Sequence, residues 1–158
     1  MEIRRFQRGD EQAISALIRR TLIEVNTDCP AWEIEWLCGY YTPENVLKMA
    51  ADCHTYVLWE DGKIIGTGSV SVTGETETEI IAAYLLPEYI GFGHGTALFD
   101  TLENDPLALK ADRIWLTSSV TALDFYEKRN YAYCDGYRGR GADGLITMEK
   151  RKAPPSVF

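Results

Sequence analysis

Tyr84-Leu85-Leu86-Pro87-Glu88-Tyr89-Ile90-Gly91-Phe92-Gly93-His94-Gly95-Thr96-Ala97-Leu98 is the stretch on which the fold turns. Its first residues are apolar and strand-like, its last ones begin a helical pattern, and three glycines alternate between them. Glycine lets the main chain approach a ligand closely, and the N-terminus of the helix that follows adds about half a positive charge. A strand-to-helix turn of this kind offers bare N–H groups to an anion, so a pyrophosphate binds without a single lysine. A plain turn between two elements has a similar appearance. The run lacks the Gly-Lys-Ser/Thr ending of a P-loop, and its third glycine comes one residue early for the Gly-x-Gly-x-x-Gly dinucleotide spacing.

Upstream of the loop, 55–59 and 63–72 are Val- and Ile-rich runs joined by Asp61-Gly62, a strong hairpin signal. Thr73-Gly74-Glu75 turns again into 76–86, so a three-strand antiparallel meander leads up to the glycines. Downstream, 93–103 reads as a helix, 113–118 as a strand, and 121–129 as a helix capped by Thr121 with Asp124 three residues later. Short strands near 131–137 and 145–149 finish the pattern. The strand, helix, strand portion after 77 has to be a parallel crossover. Further out, 2–6 alternates as a first strand, and Gly9-Asp10 caps a helix whose apolar residues are Ile14, Leu17, Ile18, Leu22 and Val25. The stretch 30–41 is dense in aromatics, and Thr42-Pro43 opens a helix through Val46, Leu47 and Ala50. The pattern predicts an α/β (α+β) fold with a mixed central sheet of about seven strands.

Composition bounds what such a fold does. At 158 residues the chain is expected to form one domain over 1–150, with the Pro-containing end, 151–158, as a flexible tail. Sixteen Lys and Arg against 24 Asp and Glu leave a net charge of −8, which argues against a nucleic-acid binder and suits cationic or amine partners. There is no run of 18 apolar residues and no signal-peptide pattern at the start, so no membrane association is expected. Cys29, Cys38, Cys53 and Cys134 show no Cys-x-x-Cys spacing, and His54 and His94 are the only histidines, so neither a metal site nor a disulfide frame is expected. A cytoplasmic location follows from the same reading.

Ile90-Gly91-Phe92-Gly93-His94-Gly95, after its Leu-Leu-Pro-Glu-Tyr run, resembles the signature of GNAT-type N-acetyltransferases: Arg or Gln, two residues, Gly, one residue, Gly or Ala. Ala122-Leu123-Asp124-Phe125-Tyr126-Glu127-Lys128-Arg129-Asn130-Tyr131 is similar to that family's second mark, and the likeness extends over about 2–149. The resemblance implies a GNAT-like sheet whose meander is followed by a splayed parallel pair, with helices on both faces. It also implies acetyl-CoA as cosubstrate and a primary amine of a small molecule or peptide as acceptor; homodimers are frequent in the family. The backbone of Ala83, Tyr84 and Leu85 would then pair with the pantetheine arm, and amides of Gly91, Phe92, Gly93, His94, Gly95 and Thr96 would hold the pyrophosphate. Three residues depart from the family pattern: Ile90 replaces the Arg or Gln, Ser119 stands where many members have an Asn that bonds the coenzyme, and Asn130 replaces a Gly.

The resemblance makes Tyr126, which also joins the cofactor contacts, the proton donor to the leaving thiolate; the alternative is a core tyrosine beside Phe125. Glu79 is the expected base, with Glu77 or an ordered water as substitutes, and the polar end of a strand as the alternative. Trp32, Trp36, Tyr40 and Tyr41 fall where the family has one wall of the acceptor site, although aromatics at helical spacing also make a core. His94 either reaches a phosphate or is incidental, and 137–144 is either a substrate flap or a plain connection. Two other functions compete: a non-catalytic acyl-CoA binding or sensor domain, and a phosphate-binding module of unrelated fold.

Overall fold

The computed structural model describes residues 1–134 and 146–152. Seven strands form one sheet in the order β1-β2-β3-β4-β5-β7-β6, with β1 at Glu2–Arg5, β2 at His54–Glu60, β3 at Lys63–Val72, β4 at Glu77–Leu85, β5 at Arg113–Ser118, β6 at Ala132–Tyr133 and β7 at Ile146–Arg151. Every neighbouring pair is antiparallel except β4 with β5. This is the expected mixed sheet with one parallel pair. The β2–β3 hairpin turns on Asp61 at φ +54° and Gly62 at φ +75°, the paired positive angles of a type I′ turn.

Helix α1 (Glu11–Glu24) packs on β3 and β4, with α2 (Ala31–Tyr40) and α3 (Pro43–Asp52) against it and α3 also reaching β2. Ile14, Leu17, Ile18 and Leu22 of α1 are all buried, each contributing roughly 1.5–3 kcal/mol of burial. Two hydroxyls on the same helix face are also buried: Ser15 donates to the carbonyl of Tyr41 at 2.6 Å and Thr21 to that of Leu85 at 3.2 Å. Val25 lies just past the helix end and not within it. On the other face α4 (His94–Glu103) and α5 (Pro106–Lys110) pack on β3, while Phe125 of α6 (Leu123–Lys128) stacks edge-on against Phe99 of α4 at 5.3 Å between ring centres. Gly68 permits this approach, since a Cβ there would lie 2.8 Å from Leu102 Cδ1.

Local signals fared unequally. Thr42 caps α3 as expected, accepting from the Asn45 amide at 3.2 Å. Asp10 makes no cap bond, because Arg4 and the Gln7 amide take its carboxylate at 2.8 Å each. Thr121 does not cap α6 either; its hydroxyl lies 3.0 Å from that of Ser119, and the helix starts two residues later. Asn130 takes the left-handed angle its position requires, φ +70°. The expected strand from 131 is described only at its start, and 137–144 and most of the tail lie outside the described residues.

Candidate active site

Strand β4 pairs with β5 only over Glu77–Arg113, Thr78–Ile114 and Glu79–Trp115. Beyond Glu79, β5 continues alongside β7 while β4 continues alongside β3, so the two parallel strands part. A bulge sharpens the divergence: Ser69 faces Ile81 and Thr67 faces Tyr84, and between them Ala82 is forced to φ +52°. A non-glycine residue in that region is strained, and such strain persists where the surroundings demand it. From Ile80 to Leu85 the β5 side of the strand carries main-chain N–H and C=O groups with no ladder partner, groups that a bound amide chain satisfies. Ala83, Tyr84 and Leu85 all line the resulting cleft, which encloses about 740 Å³.

At its wide end the cleft meets the glycine loop. Gly91 and Gly93 have φ of +91° and +88°, and a Cβ on either would meet nothing within 4 Å. Gly93 caps α4, so the unbonded amides of that helix's first turn face the same opening. Gly95 lies against the Phe125 ring, 3.4 Å from where its Cβ would be. Gly91, Gly93, Gly95 and Thr96 line the cleft, joined by the hydrocarbon of Ile90. Unpaired strand edge, glycine cradle and helix N-terminus together fit an extended molecule with amides along its length and a diphosphate at one end.

Two loop residues stand apart from that lining. Phe92 is 76% exposed and points to solvent. The His94 ring turns back toward the sheet, with Nδ1 3.1 Å from the Tyr89 carbonyl and Nε2 2.6 Å from Glu60 Oε2, so its side chain anchors the loop. Neither side chain lines the cleft.

Glu79 sits where the strands begin to part. It lines the cleft half-buried, and burial raises its carboxyl above the ordinary range. Glu77 does not line it: two residues earlier the strands are still paired, and Arg113 holds that carboxylate at 3.5 Å. Tyr126 faces Glu79's cleft from α6, packed edge-on by Phe99, Phe125 and Tyr131, and burial pushes its phenol well above the usual value. Its hydroxyl bonds to no described residue. Ser119 lines the cleft as well, though its hydroxyl is shared with Thr121 at 3.0 Å.

The aromatic wall departs from expectation in three of its four residues, Tyr41 alone lining the cleft. Trp32, Trp36 and Tyr40 are 71%, 63% and 48% exposed and none of them lines the cleft. They form one stripe of α2, with Trp36 stacked on Tyr40 at 5.6 Å, and that stripe faces outward. The cleft takes the next stripe, Glu33, Leu37 and Tyr41, one residue further along and hence about 100° around the helix. Spacing identifies a helix but leaves its rotation about its own axis open. Tyr41 meets Tyr84 edge-on at 6.0 Å, and burial, with a smaller push from Tyr40, raises its phenol to about 12. A hydrogen bond from the Val120 amide to Asp28 at 3.0 Å ties the α1–α2 loop to the β5–α6 loop across the cleft.

A parallel pair that parts over a glycine loop defines a class of protein that binds an acyl-coenzyme between its strands. Comparison with known proteins specifies the class: the family model described as the acetyltransferase (GNAT) family matches residues 12–131, and the chain belongs to that family. It is an N-acetyltransferase with acetyl-CoA as cosubstrate. No curated protein matches the sequence significantly. The fold is shared with a PaiA N-acetyltransferase from Thermoplasma acidophilum in complex with coenzyme A, at TM-score 0.82, 19% identity and coverage of 96% of this chain and 98% of the other. It is shared too with an aminoglycoside 6′-N-acetyltransferase complexed with coenzyme A (TM-score 0.73, 18% identity, 99% of each chain). An aminoglycoside 6′-acetyltransferase of type Ii aligns at TM-score 0.74 and 22% identity over 99% of this chain and 100% of that one.

Proposed function

We propose that the chain moves the acetyl group of acetyl-CoA to a primary amine of a small molecule or peptide, acting as one domain over 1–150. Bound acetyl-CoA supplies the activated acyl carbon and a thiol leaving group. Main-chain groups of Ala83, Tyr84 and Leu85 hold its amide arm, and the amides from Gly91 to Thr96 hold its diphosphate, with Ser119 at the edge of the cleft. Glu79 takes the proton from the acceptor ammonium, directly or through a water. Its raised carboxyl lies nearer the neutral range, where a base of this kind works best. Tyr126 returns a proton to the departing sulfur. Burial keeps that phenol protonated, and the same desolvation makes a thiolate beside it more basic, so the transfer remains matched.

The observation that carries this reading is that Glu79, at the point where the parallel strands part, and Tyr126, from α6, line one cleft. A cytosolic location is part of the same reading and rests on four cysteines without paired spacing. The test is an acceptor screen with acetyl-CoA, following thiol release over simple amines, polyamines, aminoglycosides and amino-terminal peptides. Amine-dependent thiol release supports the reading. Tight coenzyme binding with no acceptor in any class would make the chain a coenzyme-binding domain.

A further inference from the structure

No Lys, Arg or His is among the described residues that line the cleft, and its loop end is lined by Ile90, Gly91 and Gly93 before α4 begins. From Ile90 to Gly93 no side chain has a polar atom, and the Phe92 ring stands in solvent. His94 is therefore the first residue of this run able to fix it by hydrogen bonds from a side chain. Its ring joins the two ends of the loop and ties both to the sheet. Nδ1 lies 3.1 Å from the main-chain carbonyl of Tyr89, where the loop leaves the short helical turn Pro87–Tyr89, and Nε2 lies 2.6 Å from Glu60 Oε2 at the end of β2. The His94 side chain is only 12% exposed.

A carbonyl oxygen accepts and never donates, so Nδ1 carries a hydrogen. With that position filled, a neutral ring would aim the lone pair of Nε2 at a carboxylate, two acceptors 2.6 Å apart. Both bonds exist together only when a second proton lies between Nε2 and Glu60, and an imidazole, by nature a stronger base than a carboxylate, keeps it. We infer that His94 is a positioning residue for the coenzyme: clamped as an imidazolium between Tyr89 and Glu60, it holds the glycine loop in its binding shape, and loss of the second proton with rising pH opens the clamp and weakens acetyl-CoA binding. The inference rests on the reading that the amides from Gly91 to Thr96 hold the diphosphate, and it adds what fixes those amides in place.

Charge balance gives the direction. The protonated ring and Glu60 cancel, whereas the neutral ring leaves one net negative charge beside a loop that receives a diphosphate on a helix N-terminus. The other charged groups around the ring have partners of their own. Asp61, in the β2–β3 turn, accepts from the Tyr89 hydroxyl at 2.8 Å, a bond that raises that phenol to about 12, and Lys63 of β3 lies 5.6 Å from the centre of the same ring. Glu88 is held by Arg20 at 2.8 Å, and the amino group of Met1 lies 3.8 Å from Glu60 Oε1. An α-amino group titrates in the same range as a histidine, so its contribution has to be subtracted. The Tyr89 ring stands edge-on to His94 at 5.4 Å, and a ring packed there would hold the loop by shape alone, whatever its charge.

Two readouts separate charge from shape. Nitrogen-15 spectra of the histidine rings need no coenzyme, and with two histidines in the chain either variant below assigns the signals. Both His94 nitrogens are expected to be protonated at neutral pH; a bare Nε2 overturns the inference. Calorimetry then follows acetyl-CoA affinity from about pH 6 to about pH 9. The wild type is expected to lose at least about fivefold across that range, while His94→Gln binds more weakly in acid and meets the wild type at the alkaline end. Titration of the Met1 amine and of the coenzyme's own phosphates is common to both proteins and drops out of their difference. Glu60→Gln leaves no bare carboxylate when the ring loses its proton, so its affinity at the alkaline end should exceed that of the wild type. Parallel curves for the wild type and His94→Gln make the ring a packing peg and overturn the inference, as does a wild-type affinity that ignores pH. If Gly93→Val leaves affinity unaltered, the reading beneath fails because the diphosphate lies elsewhere; the coupling to the coenzyme falls with it, and the nitrogen spectra show separately whether the loop is held by a charged ring.

Discussion

Tyr126 lines the cleft as a buried phenol with three aromatic rings packed around it. Tyr126→Phe keeps every ring contact and removes one proton, so stability and coenzyme affinity should change little while kcat falls by roughly 100-fold. An unchanged kcat in steady-state assays would show that the sulfur takes its proton from water. Glu79 is the complementary case, because burial raises its carboxyl in the folded chain above the unfolded value. That shift stabilises the fold fully below the unfolded value, and the benefit is lost as pH rises through the raised one. Glu79→Gln should therefore melt higher than the wild type at pH 7 and converge on it below about pH 4, the ordinary carboxylate range. Its kcat/KM should fall most at neutral pH and less as rising pH supplies free amine. A melting gap that persists in acid, or a pH profile parallel to the wild type, would remove Glu79 from the role of base.

Helix α4 and its loop show how an element carries function through its main chain. Gly93 closes the loop at φ +88° with open space where a side chain would project. Gly93→Val places branched carbons into that space and strains the backbone by about 1–2 kcal/mol. Coenzyme affinity measured by calorimetry should drop more than tenfold, well beyond what the melting temperature accounts for; an unaltered affinity would place the diphosphate elsewhere. Gly68 does for packing what Gly93 does for binding. A Cβ there lies 2.8 Å from Leu102 Cδ1 and 3.4 Å from Leu98 Cδ1 in a filled core, so Gly68→Ala should cost about 1–3 kcal/mol in denaturant unfolding. The loop and the hairpin turn were legible in the sequence because glycine and Asp-Gly report backbone angles directly. The rotation of α2 was not, since stripes 32, 36, 40 and 33, 37, 41 share one spacing and only packing against α1 selects between them. Helix α5 escaped notice for a related reason: five residues hold barely one turn, too few for a period to register.

Across the whole molecule, function depends on where two strands stop pairing. Strands β4 and β5 are joined at Glu79 and apart one residue later, which separates Glu79 from Glu77 although both carboxylates belong to the same side of one strand. Alternation along the strand was readable and narrowed the base to two candidates. The point of divergence was not, because it depends on the bulge at Ala82 and on β7 drawing β5 away. The chain's net charge of −8 was equally plain from composition, whereas the lining of the cleft by residues of α2 and β4 together emerges only from the packed fold. The central claim is acetyl transfer to an amine within this wedge, and one incubation with acetyl-CoA and an amine tests it, with released thiol and acetylated amine quantified together by mass spectrometry. The account predicts both products in equal amounts, with both lost in Gly93→Val at limiting coenzyme. Thiol release without acetylated amine, or coenzyme bound with neither product formed, would contradict it.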